Sequence, residues 1–257
     1  MKILAIGDVT SPAGARHLRD KLWAFRKEKD IHFCVVNAEN ASFIHGADSE
    51  LAEMLLISGA DVLTGGNHTM QANGIAKVLE YNEYVLRPIN YGDSATGKGY
   101  TIVDLGFTRV LVVSAMGNIH MEPVLDSPYS YIDRALCACE GKYDVAILDI
   151  HAEATGEKLA IGYNYDGKIN VVFGTHTHVP TADGRILPNG TGYISDVGMC
   201  GESDGIMGME PESVIHKLKT RLPGRFKAAS GEPVADGVIF TYDDKLGIVT
   251  SVERVTF

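Results

Sequence analysis

The order of apolar runs along the chain predicts an α/β protein built as a four-layer α/β/β/α sandwich. Three observations carry that reading. Residues 1–81 alternate short apolar runs with helical patterns, a βαβαβα rhythm that calls for a parallel sheet. Residues 99–116 and 237–255 instead read as strand pairs closed by turns, which belong to antiparallel pairing. A parallel half and an antiparallel half each need cover, so the economical solution is two sheets face to face with helices outside, in one domain over residues 1–257.

Element by element, residues 2–8 (KILAIGD) form a buried strand, and residues 13–29 a helix with Leu18, Leu22 and Phe25 on one face. Residues 33–37 form the next strand. Ser49 caps a helix that runs to Ser58, with Glu53 near its start. A strand at 61–64 leads through GGNH to a helix over 72–81. Residues 99–116 make two strands joined at Gly106–Thr108, and 129–140 a helix. Strands at 144–150 and 169–173 end in His151 and in GTHTH respectively, and 192–196 is a further strand. Pro at the first turn opens a helix over 211–222. Residues 237–242 and 248–255 close the fold as a second antiparallel pair. The glycine-rich segment 190–208 lies among the site segments and reads as an active-site loop.

The formal net charge of -10 repels long nucleic acid and anionic membrane, so neither fits as a broad-surface partner. No basic stripe with interleaved aromatics argues for nucleic-acid binding. With no long apolar stretch and no leader pattern, a cytoplasmic protein is expected. Cys34, Cys137, Cys139 and Cys200 lack metal-knuckle spacing and read as reduced thiols.

Seven metal-capable side chains follow apolar runs: Asp8, Glu39, Asn40, Asn67, His151, His176 and His178. Strand C-termini in an α/β fold share one edge, so donors scattered in sequence gather in space. Taken alone, each has an ordinary alternative. Asp8 could cap a helix, and His151 could be a core histidine. Glu39 after an apolar strand is costly to bury without a partner. In GGNH, glycine serves where the backbone turns sharply or approaches a ligand closely. His176 and His178, two apart in an extended segment, point the same way. Asp149 and Glu153 flank His151 as partners for a ligand imidazole. Carboxylate, amide and imidazole together suit manganese, iron or zinc. Seven donors exceed one tetrahedral ion and suit two ions sharing a carboxylate, the arrangement that hydrolyses phosphate esters.

The order Asp8, Glu39–Asn40, GNH at 66–68, His151 and GTHTH at 174–178 resembles the calcineurin-like metallophosphoesterases. Glu39 in NAENAS, RPINY at 87–91, DIHAEATGEK at 149–158 and GTHTHVPTADGRILPNGTGYISDVGM at 174–199 are similar to the bacterial YmdB-type branch. The resemblance spans nearly the whole chain. It implies a four-layer sandwich, a dinuclear centre of iron or manganese (zinc or magnesium also fit), phosphodiesterase activity that includes 2′,3′-cyclic nucleotides, and a homo-oligomer, dimer or tetramer. Departures from the branch's usual pattern fall at Thr10, Phe43, Gln71 and Asn118 and bear on substrate fit more than on metal binding.

On this basis one ion is expected on Asp8, Glu39, Asn40 and His178, and a second on Glu39, Asn67, His151 and His176. Glu39 bridges them. A metal-bridging hydroxide attacks the phosphorus, and His68 is the general acid for the leaving alkoxide. Two alternatives use the same residues: a broad-specificity phosphomonoesterase or nucleotidase, and a regulatory metal-binding scaffold with little turnover.

Overall fold

The computed structural model describes residues 1–43 and 45–257. Ile44, next to the departure at Phe43, lies outside the described residues.

The chain runs β1 (Lys2–Ile6), β2 (Asp8–Val9), α1 (Pro12–Lys29), β3 (Phe33–Asn37), α2 (Ser49–Ile57), β4 (Val62–Thr64) and α3 (Ile75–Tyr81). It continues β5 (Tyr100–Asp104), β6 (Arg109–Met116), α4 (Pro128–Ala138), β7 (Val145–His151), α5 (Thr155–Asn164), β8 (Val171–Thr175), β9 (Arg185–Ile186) and β10 (Gly192–Ile194). It ends β11 (Met199–Met209), α6 (Pro211–Thr220), β12 (Ala228–Asp243) and β13 (Ile248–Thr256).

One sheet has the order β2-β11-β12-β1-β3-β4, with β13 added beside β12; the other has the order β5-β6-β7-β8-β10-β9. Strand side chains alternate between two cores, as a period of two requires. Ile3, Ala5, Phe33 and Val35 from the first sheet meet Val110, Val112, Val145, Ile147, Val171 and Phe173 from the second, between the sheets. The intervening residues Leu4, Ile6, Cys34 and Val36 face outward to Leu18, Leu22, Leu51 and Leu55 of α1 and α2. On the far side Leu111, Val113, Ala146, Leu148 and Val172 face Ile132 of α4 and Ile161 of α5. Two sheets flanked by helices are what the residue pattern predicts.

Four details differ from that pattern. The parallel and antiparallel pairs do not divide the chain into halves. β6, β7, β8 and β10 are parallel, while the tail joins the first sheet because β12 pairs antiparallel with β1. Residues 190–208 are not one loop. Met199–Met209 is a strand paired with β2 and β12, and two of its glycines, Gly205 and Gly208, fall where the register shifts between Asp204 and Met209. The α2 cap is Asp48, whose carboxylate accepts from Leu51 N at 3.0 Å; Ser49 is the first helical residue. Helix α5 is not singled out by the sequence pattern, because its inward face carries Lys158 and Gly162 among the apolar positions.

Candidate functional site

The candidate ligands all sit where a strand stops or just beyond. Asp8 opens β2 and does not cap α1; that role falls to Ser11, whose hydroxyl accepts from Gly14 N at 3.1 Å. Asn37 at the end of β3 turns the chain by accepting from Glu39 N at 2.9 Å, which sets Glu39 and Asn40 under the sheet edge. After β4, Gly66 packs so closely that a Cβ there would lie 2.2 Å from His151 Cδ2. That contact explains the glycine before Asn67 and His68.

His176 and His178 do not lie in an extended segment. β8 ends at Thr175, and the two histidines adopt φ of 100° and 61°, left-handed values rare for residues with a side chain. They still converge, through backbone reversal and not strand alternation.

The structure brings all eight candidate residues to one place. His151 Nε2 is the hub. It lies 3.0 Å from Asn67 Oδ1, 3.1 Å from His176 Nδ1 and 3.7 Å from Glu39 Oε1. Asp8 Oδ1 lies 3.7 Å from both His151 Nδ1 and His178 Nε2. Asn40 Nδ2 is 3.4 Å from His178 Nε2, and Asn40 Oδ1 is 2.8 Å from His68 Nδ1. Glu39 accepts from His68 N and Thr69 Oγ1. Asp8, Glu39 and His151 are at most 1 % exposed, so the centre is dry, while Asn67, His68 and His176 are half-buried at its rim.

Burial raises the Asp8 carboxyl, but His178 and His151 outweigh it and hold it well below the ordinary range. Burial pushes Glu39 well above its ordinary value, only partly opposed by backbone donors. Burial likewise lowers His151, His176 and His68, which favours neutral imidazoles with a free lone pair. Burial also opposes protonation of His178, but Asp8 reverses that and raises it.

Two observations bear on whether a cation fits. Among the described residues, Asp8 Oδ1 is the buried side-chain atom with no hydrogen-bond partner. A buried carboxylate oxygen without a donor is costly, and it is aimed at two imidazoles. The second concerns His151. Thr175 Oγ1 donates to Asp149 Oδ1 at 2.8 Å, so it can accept from His151 Nδ1 at 3.0 Å. With the ring proton on Nδ1, a lone pair is left on Nε2, facing the carbonyl oxygen of Asn67. Lone pairs in contact repel, and a metal ion between them removes the repulsion. The donors touch one another directly, and among the described residues no group of three or more His, Cys, Asp or Glu is spread as a ready ligand cage. A metal bound here would therefore have to part them.

Asp149 reaches His151 only through Thr175, and burial pushes its carboxyl up to about 7 despite bonds from Thr64, Thr175 and Asn37. Glu153 pairs with His176 Nε2 at 3.2 Å and does not contact His151. Thr175 and Asn37 are the residues the sequence reading passed over. Their signal is a polar side chain inside an otherwise apolar strand. Of the departures, Asn118 braces its own loop, accepting from Leu125 N and donating to Asp126 O, while Gln71 reaches Asn67 O at the rim.

The two-sheet frame with a polar rim at its strand ends is that of the metallophosphoesterases, enzymes that hydrolyse phosphoric esters. A putative 5′-nucleotidase from Staphylococcus aureus shares the fold, with a TM-score of 0.62 at 16% identity, over 99% of this chain and 54% of that one. The family model for YmdB-like proteins matches residues 4–255, and the chain belongs to that family. It is 38% identical to the 2′,3′-cyclic-nucleotide 2′-phosphodiesterase of Bacillus subtilis, over 99% of this chain and 96% of that protein. A crystal structure described as a novel phosphatase from Mycoplasma pneumoniae superposes with a TM-score of 0.91 at 29% identity, covering 100% and 93% of the two chains. A hypothetical protein from Thermus thermophilus gives 0.92 at 36% identity, covering 100% and 99%. The chain is thus a phosphoric ester hydrolase, and its metallophosphoesterase relatives imply divalent metal ions. Among the described residues no helix is long and apolar enough to cross a membrane.

Proposed function

We propose that the chain is a dinuclear-metal phosphodiesterase of small phosphate esters, 2′,3′-cyclic nucleotides foremost, working as one catalytic unit over its length. The observation that carries this is the hub at His151 Nε2, where Asn67, His176 and Glu39 meet within 3.7 Å. Asp8, Glu39, Asn40 and His178 would hold one ion, and Glu39, Asn67, His151 and His176 the other. Iron or manganese suits this mixture of carboxylate, amide and imidazole. Bound there, the pair supplies Lewis acidity toward the phosphoryl oxygens and a water of lowered pKa.

The chain's own residues do the rest. The buried floor of Asp8, Glu39 and His151 excludes bulk water, which strengthens every charge interaction at the phosphate. His68, half-buried at the rim, is held through Nδ1 by Asn40 and through its backbone N–H by Glu39. Protonated, the ring would have Nε2 as the atom to pass a proton to the leaving ribose oxygen; because burial lowers its pKa, this acid form fills as pH falls. An acid is needed because an alkoxide leaves poorly, and such transfer is worth ~10²–10⁴-fold. His68→Ala should lower kcat by that range on a 2′,3′-cyclic nucleotide, and much less on a nitrophenyl ester whose leaving group needs no proton. Metal content by elemental analysis should stay unchanged. Equal losses on both substrates remove His68 from the role, and preferred turnover of monoesters moves the chain to the phosphomonoesterase class.

The same reading takes the chain to be a cytoplasmic homo-oligomer. The four cysteines, all free, suit a reducing compartment. Helix α6 has no buried residue and exposes Ile215, Leu218 and, just past its end, Leu222. Glu212 and Lys219 lie along one side of that stripe, so antiparallel pairing with a second copy brings opposite charges together. The mass in solution by analytical ultracentrifugation tests it.

A further inference from the structure

Behind the two histidines of GTHTH lies a fully buried ion pair that the reaction does not use. Lys158 of α5 is 0 % exposed and Asp196, after β10, is 1 % exposed. Lys158 Nζ donates to Asp196 Oδ2 at 2.9 Å. A lysine deep in a core is destabilising unless its partner is well placed, and such a pair is poor value as plain stability.

The other bonds of Asp196 show what it holds. Its Oδ2 accepts from Thr177 N at 3.0 Å and from Thr177 Oγ1 at 2.7 Å. Its Oδ1 accepts from Gly198 N at 2.9 Å. Its backbone is tied to Thr181 in both directions, Thr181 N to Asp196 O at 3.1 Å and Asp196 N to Thr181 Oγ1 at 2.9 Å. Thr177 is the residue between His176 and His178, and both neighbours stand at positive φ. Non-glycine residues in that region carry strain of about 1–3 kcal/mol each and persist only when their surroundings over-determine them. Thr177 is the fixed point between two strained residues, and Asp196 fixes it by both its backbone and its side chain.

The glycine of GTHTH belongs to the same device. A Cβ on Gly174 would lie 2.7 Å from Lys158 Cδ and 1.9 Å from Ser195 O, so the missing side chain is the passage by which the lysine stem crosses β8.

We propose that the Lys158–Asp196 pair is a positioning clamp. Through Thr177 it imposes the left-handed backbone that aims His176 at one metal position and His178 at the other. This rests on the dinuclear reading above. Because the two histidines serve different ions, loosening the clamp weakens both positions together, whereas losing a ligand such as His151 empties one.

The test is manganese affinity by titration against a competing chelator, with far-UV circular dichroism and thermal melting in parallel. In Asp196→Ala, both manganese positions should weaken about 10–100-fold, the scale for residues that orient ligands, at temperatures well below melting. Lys158→Met keeps the oxygens that hold Thr177 and should weaken them less. Should Asp196→Ala not fold, Thr177→Val removes one hydrogen bond to a charged acceptor and should cost about tenfold in affinity at both positions. A lower melting point with unchanged manganese affinity in the folded variants overturns the clamp and leaves the metal centre standing. A wild-type chain that binds no manganese or iron overturns the dinuclear reading itself, and the clamp with it.

Discussion

The two sheets contribute to the site in different chemical currencies. The first sheet brings the oxygen candidates: Asp8 at the start of β2, Glu39 and Asn40 after β3, and Asn67 after β4. The second delivers nitrogen: His151, His176 and His178, after β7 and β8. The two groups are also held differently. The oxygen side is held through backbone N–H groups: Asn37 Oδ1 accepts from Glu39 N, Glu39 Oε1 from His68 N, and Asp8 Oδ2 from His176 N. The imidazoles are fixed from behind, by Thr175 and Asp149 under His151 and by strained backbone at His176 and His178. A centre split across two sheets exists only if both pack in register, so the core between the sheets is as much a part of the site as its ligands.

The largest test of this division is Glu39→Gln on the oxygen side. The amide keeps its shape but loses the charge shared by both positions, and losing Lewis-acid stabilisation worth several kcal/mol should lower turnover by ~10³-fold or more. Metal content should fall at both positions; full loading with normal turnover would show that the oxygen side is not the bridge. Thr175→Val tests the support of the nitrogen side without touching a donor. It removes the acceptor for His151 Nδ1 and should weaken one metal position by ~10–100-fold. An unchanged affinity by chelator competition would mean that His151 is held by packing alone. The smallest effect is expected from Glu153→Gln. Its contact with His176 Nε2 is at a carboxylate 48 % exposed, where screening limits a pair to roughly 1 kcal/mol or less. A loss of metal affinity beyond about fivefold would promote Glu153 to a part of the site.

The residue pattern disclosed the layers because strands buried on both faces must be apolar throughout, and helices that cover them must be apolar on one side. It pointed to the candidate ligands because a carboxylate or imidazole at the end of such a strand is out of place in a core. It hid three things. The tail looked like a separate antiparallel unit because nothing local says that β12 inserts beside β1. Helix α5 was masked by Lys158, a charge at a core position whose partner lies thirty-eight residues on. The left-handed turn through THTH was invisible because threonine and histidine normally favour extended backbone there, and the force that overrides that preference comes from Asp196.

The placement of β12 also has a consequence for how the molecule is made. Lys2 pairs with Thr241, and Asp8 of β2 with Met199 of β11, so one flank of β1 and the pairing of β2 depend on residues far along the chain. Contacts between such distant residues form late, since the chain entropy of closing so large a loop must be overcome first. Without β12, β1 keeps β3 on one side and has an open edge on the other, so insertion of β12 is the step that closes the first sheet.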